Sequence, residues 1–425
     1  MALLGAALGS PAVLAHGQFP LPVGVLMDGD GGHVVVAATF GALVPTADGP
    51  GYHWICEELA GGDVVNAVVW AMTSEGTLLA GGRSGGLRFT QDYCGATRLQ
   101  GVPRERVRTM VTHPSRPWVL LSTGPGAVLR SLDDGRTFAL FAALPGAVPA
   151  GLAFDRRGDT PRAWILWRVL SDGHAELHEA RDGGAVLALP TEAGAPQWEL
   201  LGEAPAQPGV LWVRDNGAAR DRLLQLVVAD GGITLAREAD DELVLAATPD
   251  GTRWASGGLV APLEVNVNGT RQARTGLREV RALAFSPQRH LYVAADNWND
   301  GFAAGVSWDD GVAWRGLGRF VDIRGVLACA DAGPGCVPGA DGCAGGEGND
   351  VVAACGQYWP ALVELFGIPG DGGAVSSDGG TAGPPARGCP GCSSSGDAGV
   401  ALLAALLVAL RRRSARPGDG IGRRA

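Results

Sequence analysis

The octapeptide SLDDGRTF, residues 131–138, and its counterpart SWDDGVAW, residues 307–314, share the pattern S-x-D-D-G-x-[TA]-aromatic. An aspartate in a hairpin accepts hydrogen bonds from backbone amides two or three residues further on. The glycine that follows takes the positive φ that closes the turn with little strain. Ser131, Asp133, Gly135 and Phe138, and likewise Ser307, Asp309, Gly311 and Trp314, are therefore read as structural residues that fix one strand pair, with the last aromatic packing between adjacent sheets.

Weaker copies keep the same frame: 46–54 (TADGPGYHW), 90–97 (TQDYCGAT), 180–187 (ARDGGAVL), 228–235 (VADGGITL) and 266–273 (NVNGTRQA). Their last positions and those of the two strong copies recur about every 43 residues, the period of a four-stranded blade. Between them lie short apolar or alternating runs such as HVVVAATF from His33, WVLLSTG from Trp118 and AWILWRV from Ala163, punctuated by Gly, Pro and Asp. No amphipathic stretch of helical length occurs before Pro360. Short strands with regular turns make the fold all-β, and the period predicts a β-propeller of seven four-stranded blades.

The two strong octapeptides resemble the Asp-box, or BNR, repeats of sialidase-like and sortilin-like propellers and of photosystem assembly factor-like proteins, over roughly residues 18–327. Such repeats occur in enzymes and non-enzymes alike, so they specify fold rather than activity. Resemblance to the sialidases would imply an arginine triad, a tyrosine nucleophile supported by a glutamate, and an aspartate acid/base. The chain has only Tyr52, Tyr93, Tyr292 and Tyr358, and two of these fall inside box-like turns. A hydrolase with two carboxylates would draw on aspartates near strand ends, of which Asp155, Asp215, Asp296 and Asp300 are candidates; the plain alternative is that all four serve turns. No catalytic residue is assigned.

The formal charge is −10 and residues 411–425 are strongly basic, so the body upstream is more acidic than the total. An acidic body argues against sequence-independent nucleic-acid binding. All 34 basic residues are Arg, a compositional bias rather than a binding signature. No metal or other cofactor is expected. His174 and His178 stand four apart in a strand-like setting, which separates them by roughly 13 Å. An N-terminal His16 after processing would resemble the copper-chelating terminus of the lytic polysaccharide monooxygenases, which have a different fold. HGQFP, residues 16–20, is more simply the entry to the first blade.

The eight cysteines fall into three groups. Cys56 follows the first box and Cys94 lies in the second, which suggests a disulfide between neighbouring blades, with free buried thiols as the alternative. Cys329, Cys336, Cys343 and Cys355 lie in a Gly-rich segment whose spacing fits no zinc pattern, so disulfides are expected there with open connectivity. Cys389 and Cys392 precede an apolar run, Ala398 to Leu410, and then Arg411, Arg412 and Arg413. That run is about 20 Å long as a helix, too short for an ordinary membrane span. The combination resembles the MYXO-CTERM sorting signal of myxobacterial surface proteins, which implies processing near Cys392 or, second, Cys389, and anchoring through lipid. A plain C-terminal membrane anchor is the alternative.

At the other end, residues 1–15 read as a signal peptide, although no basic residue precedes the apolar segment. The expected organisation is a signal peptide (1–15), a propeller (16–327), a Cys-rich insert and closing segment (328–367), a flexible linker (368–388) and a sorting signal (389–425). Residues 358–370 (YWPALVELFGIPG) would form a short helix or closing strand. The expected product is exported to the cell surface or outer membrane, or released. It would act as a binding or scaffolding module for a protein, peptide or glycan. A carbohydrate-active hydrolase and an assembly factor for an envelope complex are the alternatives.

Overall fold

The computed structural model describes residues 19–327 and 349–368 apart from short stretches, of which 156–161, 191–197 and 217–221 are the longest. Residues 1–15, read as a signal peptide, His16, Cys94, Cys329, Cys336, Cys343, residues 369–388 of the expected linker, Cys389, Cys392 and the C-terminal apolar run lie outside the described residues.

Seven antiparallel sheets follow one another along the chain, each a meander of four consecutive strands. Blade 1 holds β1–β4 (Pro22–Met27, Val34–Ala38, Gly41–Pro45, Tyr52–Cys56) and blade 2 holds β5–β8 (Val69–Met72, Leu78–Gly82, Gly85–Phe89, Gly95–Arg98). Blade 3 comprises β9–β12 (Val107–Thr112, Val119–Thr123, Ala127–Ser131, Ala139–Ala143), and blade 4 β13–β16 (Ala147–Asp155, Arg162–Val169, Ala175–Arg181, Val186–Pro190). In blade 5 the strands are β17–β20 (Trp198–Glu203, Val210–Asp215, Arg222–Ala229, Gly232–Asp240), and in blade 6 β21–β24 (Val244–Ala247, Arg253–Gly257, Leu263–Val267, Thr270–Arg274). Blade 7 completes the set with β25–β28 (Val280–Phe285, Leu291–Ala295, Ala304–Ser307, Arg315–Gly318).

Apolar cores lie between successive blades, because the sheets are buried on both faces. The pattern is plain in blade 4. Along β13, Leu152 and Phe154 enter the core shared with blade 3, whereas Ala153 between them enters the core shared with blade 5. In β14, Ala163, Ile165 and Trp167 face blade 3 while Trp164 and Leu166 face blade 5. This two-sided burial explains why the run is apolar without alternation. Each of the larger of these, such as Leu152, Phe154 and Ile165, contributes roughly 1.5–3 kcal/mol of burial. The remaining cores link blades 2 and 3, 5 and 6, and 6 and 7, and one large core joins blade 7 to blades 1 and 2, so the ring is closed.

All seven octapeptide frames fall on the connection between the third and fourth strands of their blades. The two strong copies form the same turn. Ser131 Oγ accepts from the Gly135 amide at 3.0 Å and donates to Asp133 Oδ1 at 2.7 Å, while the Thr137 amide donates to the same carboxylate at 2.9 Å. In the other copy Gly311 bonds Ser307 at 2.7 Å, Ser307 bonds Asp309 at 2.8 Å, and Ala313 bonds Asp309 at 2.9 Å. Gly135 and Gly311 have φ of 75° and 81°, as the turn requires. The preceding aspartates also enter the left-handed region, Asp134 at 62° and Asp310 at 58°. Phe138 is buried in the core between blades 2 and 3, and Trp314 packs against that between blades 6 and 7. In blade 6 the frame is a tight hairpin with Asn268 and Gly269 at φ of 50° and 87°.

The second aspartates do something the turn alone does not need. Asp134 is buried and reaches across to blade 2, accepting from Thr73 Oγ1 and Thr77 Oγ1, each at 2.5 Å, and from Arg88 at 2.8 Å. Arg88 Nε also bonds the Asp134 carbonyl at 3.1 Å. Asp310 reaches blade 6 in the same way, its carboxylate paired with Arg253 and its carbonyl bonded by Arg274 Nε at 2.8 Å. The turn motif is thus also a bond between blades.

After blade 7 the chain returns to the start. A further strand, β29 (Ile323–Val326), runs parallel to β4 on the outer edge of blade 1, with Ile323 opposite Tyr52 and Val326 opposite Trp54. Then β30 (Asn349–Asp350) pairs with β8 on the outer edge of blade 2. Two short helices follow, α1 (Val351–Cys355) and α2 (Trp359–Phe366). Residues 358–370 therefore supply a helix rather than a closing strand, started by Pro360 in its first turn and ended by Gly367 in the left-handed conformation. Helix α1 places helical structure slightly earlier than the sequence suggests. Phe366 packs its ring on Phe40 and Phe320, each at 5.2 Å, and Ile368 is also buried.

This returning segment corrects the expected cysteine pairing. Cys56, at the end of β4, is bonded to Cys355 in α1, not to Cys94. The edge of blade 1 carrying Cys56 is the one the returning chain covers, so the partner comes from 299 residues away in sequence.

Candidate functional site

A cavity of about 890 Å³ occupies the ring axis, and every blade contributes to its wall. The innermost strands β1, β5, β9, β13, β17 and β25 line it, with Pro249 from the turn after β21. Turns joining first to second strands form one end, including Asp28, Gly29, His113 and Arg116. In an up-and-down sheet these turns share a face with the third-to-fourth turns, as the bonds from Asp134 to Thr73 and Thr77 confirm.

Along part of that face, from blade 6 through blades 7 and 1 to blade 2, hydrogen bonds join consecutive turns. Gly29 donates to the Ser74 carbonyl at 3.0 Å, Gln288 Nε2 to the Asp30 carbonyl at 2.6 Å, and Arg289 to Asp250 at 2.8 Å. Hydrogen bonds from the Thr248 hydroxyl and from the Thr252 amide and hydroxyl, with the Arg289 charge, pull the Asp250 pKa down to about 2. Burial works against ionisation of Asp133, but its bonds from Thr137 and Ser131 outweigh it and hold the carboxyl below its ordinary value. Asp309 is lowered by its bonds from Ala313 and Ser307. In each case the folded pKa lies below the unfolded one, so the stabilisation is present above the unfolded pKa and disappears as pH falls through the folded value. These carboxylates are expected to make the melting temperature fall between about pH 4 and 2; in Asp250→Asn that acid limb should be shallower. Melting curves across this range measure it.

The cavity wall mixes polar and apolar surface in nearly equal parts, with Met27, Met72, Met110 and Phe285 beside Thr112, His113, Ser115 and Arg116. Its two carboxylates are Asp28 and Glu203. Glu203 Oε1 is occupied inside the protein, accepting from the Gly209 amide at 2.8 Å and Trp164 Nε1 at 3.3 Å. Asp28 Oδ2 accepts from His33, through the backbone amide at 3.2 Å and Nδ1 at 2.6 Å. Burial alone would raise the Asp28 pKa, but these bonds and the His33 charge reverse the shift and lower it.

None of the four candidate aspartates lines the cavity. Asp215 is fully buried and paired with Arg222 at 2.5 Å. Asp155 ends β13, also buried. Asp296 and Asp300 share one turn after β26: Asp300 Oδ2 accepts from the Asp296 amide at 3.1 Å, and Asp296 Oδ1 accepts from the Trp298 amide at 2.9 Å. These two act as turn aspartates. The tyrosines also lie off the cavity. Tyr52 is fully buried, which raises its pKa, and bonds the Gly318 carbonyl at 3.2 Å; burial pushes Tyr93 up to about 12.

His174 and His178 are closer than strand spacing suggests. His174 precedes β15, and the Nε2 atoms of both rings bond one carboxylate, Glu176, at 2.9 and 2.8 Å. Bonds to Asp172 and Glu176 raise the His174 pKa. Among the described residues, no group of three or more His, Cys, Asp and Glu is placed to hold a metal ion.

Together these features define an all-β, seven-bladed propeller with an axial cavity. No protein-family profile matches the chain, and no curated protein matches it. Solved structures similar to it include the Kuenenia stuttgartiensis hydrazine synthase, at 10% identity over 68% of this chain and 96% of that one, with a TM-score of 0.49. The RRP9 WD40 repeats are similar at 12% identity over 67% and 89% of the two chains, with a TM-score of 0.48. For the β-propeller domain of Myceliophteria thermophila Cps50 (Swd1) the values are 12%, 66%, 94% and 0.43. These are likenesses of fold and name no ligand for this chain.

Proposed function

We propose that this protein is an exported, surface-anchored binding or scaffolding module that receives its ligand in the axial cavity. The observation that carries the reading is a cavity of about 890 Å³ to which all seven blades contribute. That volume lies within the roughly 300–1,000 Å³ typical of small-molecule pockets. Export and anchoring rest on the two terminal sequences, with Cys392 the preferred processing site and Cys389 the second. The carboxylates considered for hydrolysis serve turns, ion pairs or internal hydrogen bonds, which favours binding over bond cleavage.

The test is a glycan and peptide array probed with the purified full chain, with glycoside hydrolysis assayed in parallel and the native protein located by cell fractionation. Saturable binding without turnover, from protein in the envelope fraction, is the expected result. Turnover of a bound glycan, or retention of the protein in the cytoplasm, overturns the reading.

A further inference from the structure

Second-to-third turns and the connections between blades share the face opposite the third-to-fourth turns. Hydrogen bonds tie the two sets together: the Leu170 amide donates to the Gly146 carbonyl at 2.8 Å, the Val280 amide to the Gly258 carbonyl at 2.9 Å, and the Phe320 amide to Asn297 Oδ1 at 2.8 Å. Large apolar side chains stand out from these turns: Leu170 in blade 4, Leu259 and Val260 in blade 6, and Trp298 in blade 7, with Val260 81% and Trp298 50% exposed. Phe19, exposed at the entry to β1, lies on the same face, its carbonyl accepting from Thr39 Oγ1 at 3.0 Å. Leu365 of α2 is exposed next to Phe366, whose ring packs on Phe40 at 5.2 Å and on Trp298 at 6.4 Å.

The exposure of Trp298 is built into its turn. Asp296 Oδ1 accepts from the amides of Trp298 and Asn299 at 2.9 and 3.3 Å, and Asp300 accepts from those of Asp296 and Arg278 at 3.1 and 2.8 Å, so the turn is fixed without the indole. The same bonds direct both carboxylates onto backbone donors, which lowers the cost of taking this face out of water. Single exposed apolar side chains are ordinary, but several on one face mark an interaction surface.

The course of the chain indicates what covers it. The described residues end at Ile368, directly after the Phe366 ring that meets Phe40 and Trp298, and therefore on this face. Cys392 and Ala398, the start of the apolar run, follow Ile368 by 24 and 30 residues. We propose that this face lies on a lipid bilayer, with Trp298, Val260 and Leu365 entering the headgroup region. The proposal rests on the anchoring part of the reading above. Tryptophan favours the membrane interface because its ring is amphipathic. A C-terminal anchor makes a second, weak contact with the same membrane effectively intramolecular, so a few side chains suffice. The opposite face also exposes Leu132, Trp308 and Val312, but the chain does not leave there, and Trp308 is flanked by His290 and Arg315. Such a placement turns the cavity end formed by Asp28, His113 and Arg116 away from the bilayer.

All 12 tryptophans precede Ile368, so their fluorescence reports on the propeller and not on the anchor. The full chain is reconstituted into phosphatidylcholine vesicles, and into vesicles of the same lipid brominated on its acyl chains near the headgroup, which quenches indoles in contact with it. Brominated lipid is expected to quench the wild-type chain. Trp298→Phe, which keeps an aromatic ring, should remove about half of that quenching or more. Val260→Asp should reduce it, at a position too exposed for the fold to depend on it, and Trp308→Phe should leave it unchanged. A chain that floats with the vesicles but is not quenched, or is quenched equally after Trp298→Phe, overturns the proposal and leaves the anchoring reading standing. Absent quenching together with cross-linking to a second copy assigns the face to self-association, which also overturns it. If the chain does not float with the vesicles, both readings fall.

Discussion

Replacing Asp134 by alanine is expected to lower the unfolding free energy by about 3–5 kcal/mol, because it removes the carboxylate of a buried ion pair and takes that acceptor from the groups that share it. Its carboxylate is the shared acceptor for two buried hydroxyls, Thr73 and Thr77, and for Arg88, all from blade 2. Asparagine at the same position tolerates the positive φ and keeps one acceptor oxygen, so Asp134→Asn should recover part of the loss. Asp310→Ala is the internal comparison. Its carboxylate is 21% exposed against 5% for Asp134 and bonds one arginine of blade 6 rather than three groups, so a loss of about 1 kcal/mol is expected. Urea denaturation of the three variants measures the order. Equal losses at Asp134 and Asp310 would show that turn closure, common to both, matters and that the inter-blade bond does not.

Breaking the Cys56–Cys355 bond is expected to cost a similar amount, about 3–5 kcal/mol, through a different route. The bond closes a loop of 299 residues, and a cross-link over a long loop chiefly restricts the unfolded chain. Cys56→Ala, Cys355→Ala and the double variant should therefore be equally destabilised, since each removes the same bond. Limited proteolysis gives a second readout. With the bond gone, α1 and α2 keep their packing around Phe366 and Leu362 and the two short strand pairings, so cleavage should begin in this segment before any blade is cut. First cleavage within a blade would overturn this account.

Much of the ring was legible from the octapeptide frame. The frame marks third-to-fourth turns, the apolar runs mark strands buried on both faces, and the interval between frames sets the blade size. Trp164 and Trp167, on opposite faces of β14, illustrate why the period is readable even where alternation is not. The partner of Cys56 was not legible, because adjacency across the outer edge of blade 1 depends on ring closure and leaves no local trace. The four residues of β29 are too short to distinguish from a loop. Nor does the role of Asp134 follow from its turn, since the hydroxyls it meets belong to another blade. The cavity residues were missed for a related reason: Asp28 sits in MDGDGGHV, residues 27–34, which reads as an ordinary Asp/Gly turn, and Trp70 reads as a core aromatic. Knowing which strand of each blade is innermost would have singled out both.

The order in which the chain is laid down has a cost during biosynthesis. Each blade is encoded by one contiguous segment, so a nascent chain can complete its sheets one at a time from the axis outward. The rims of the first two blades differ: β4 keeps an unpaired edge until residues 323–326 have been made, and β8 until residues 349–350. An unpaired edge recruits strands from other chains. A product that stops anywhere between blade 7 and Ile323 would thus carry every blade and still be the form most prone to join its neighbours.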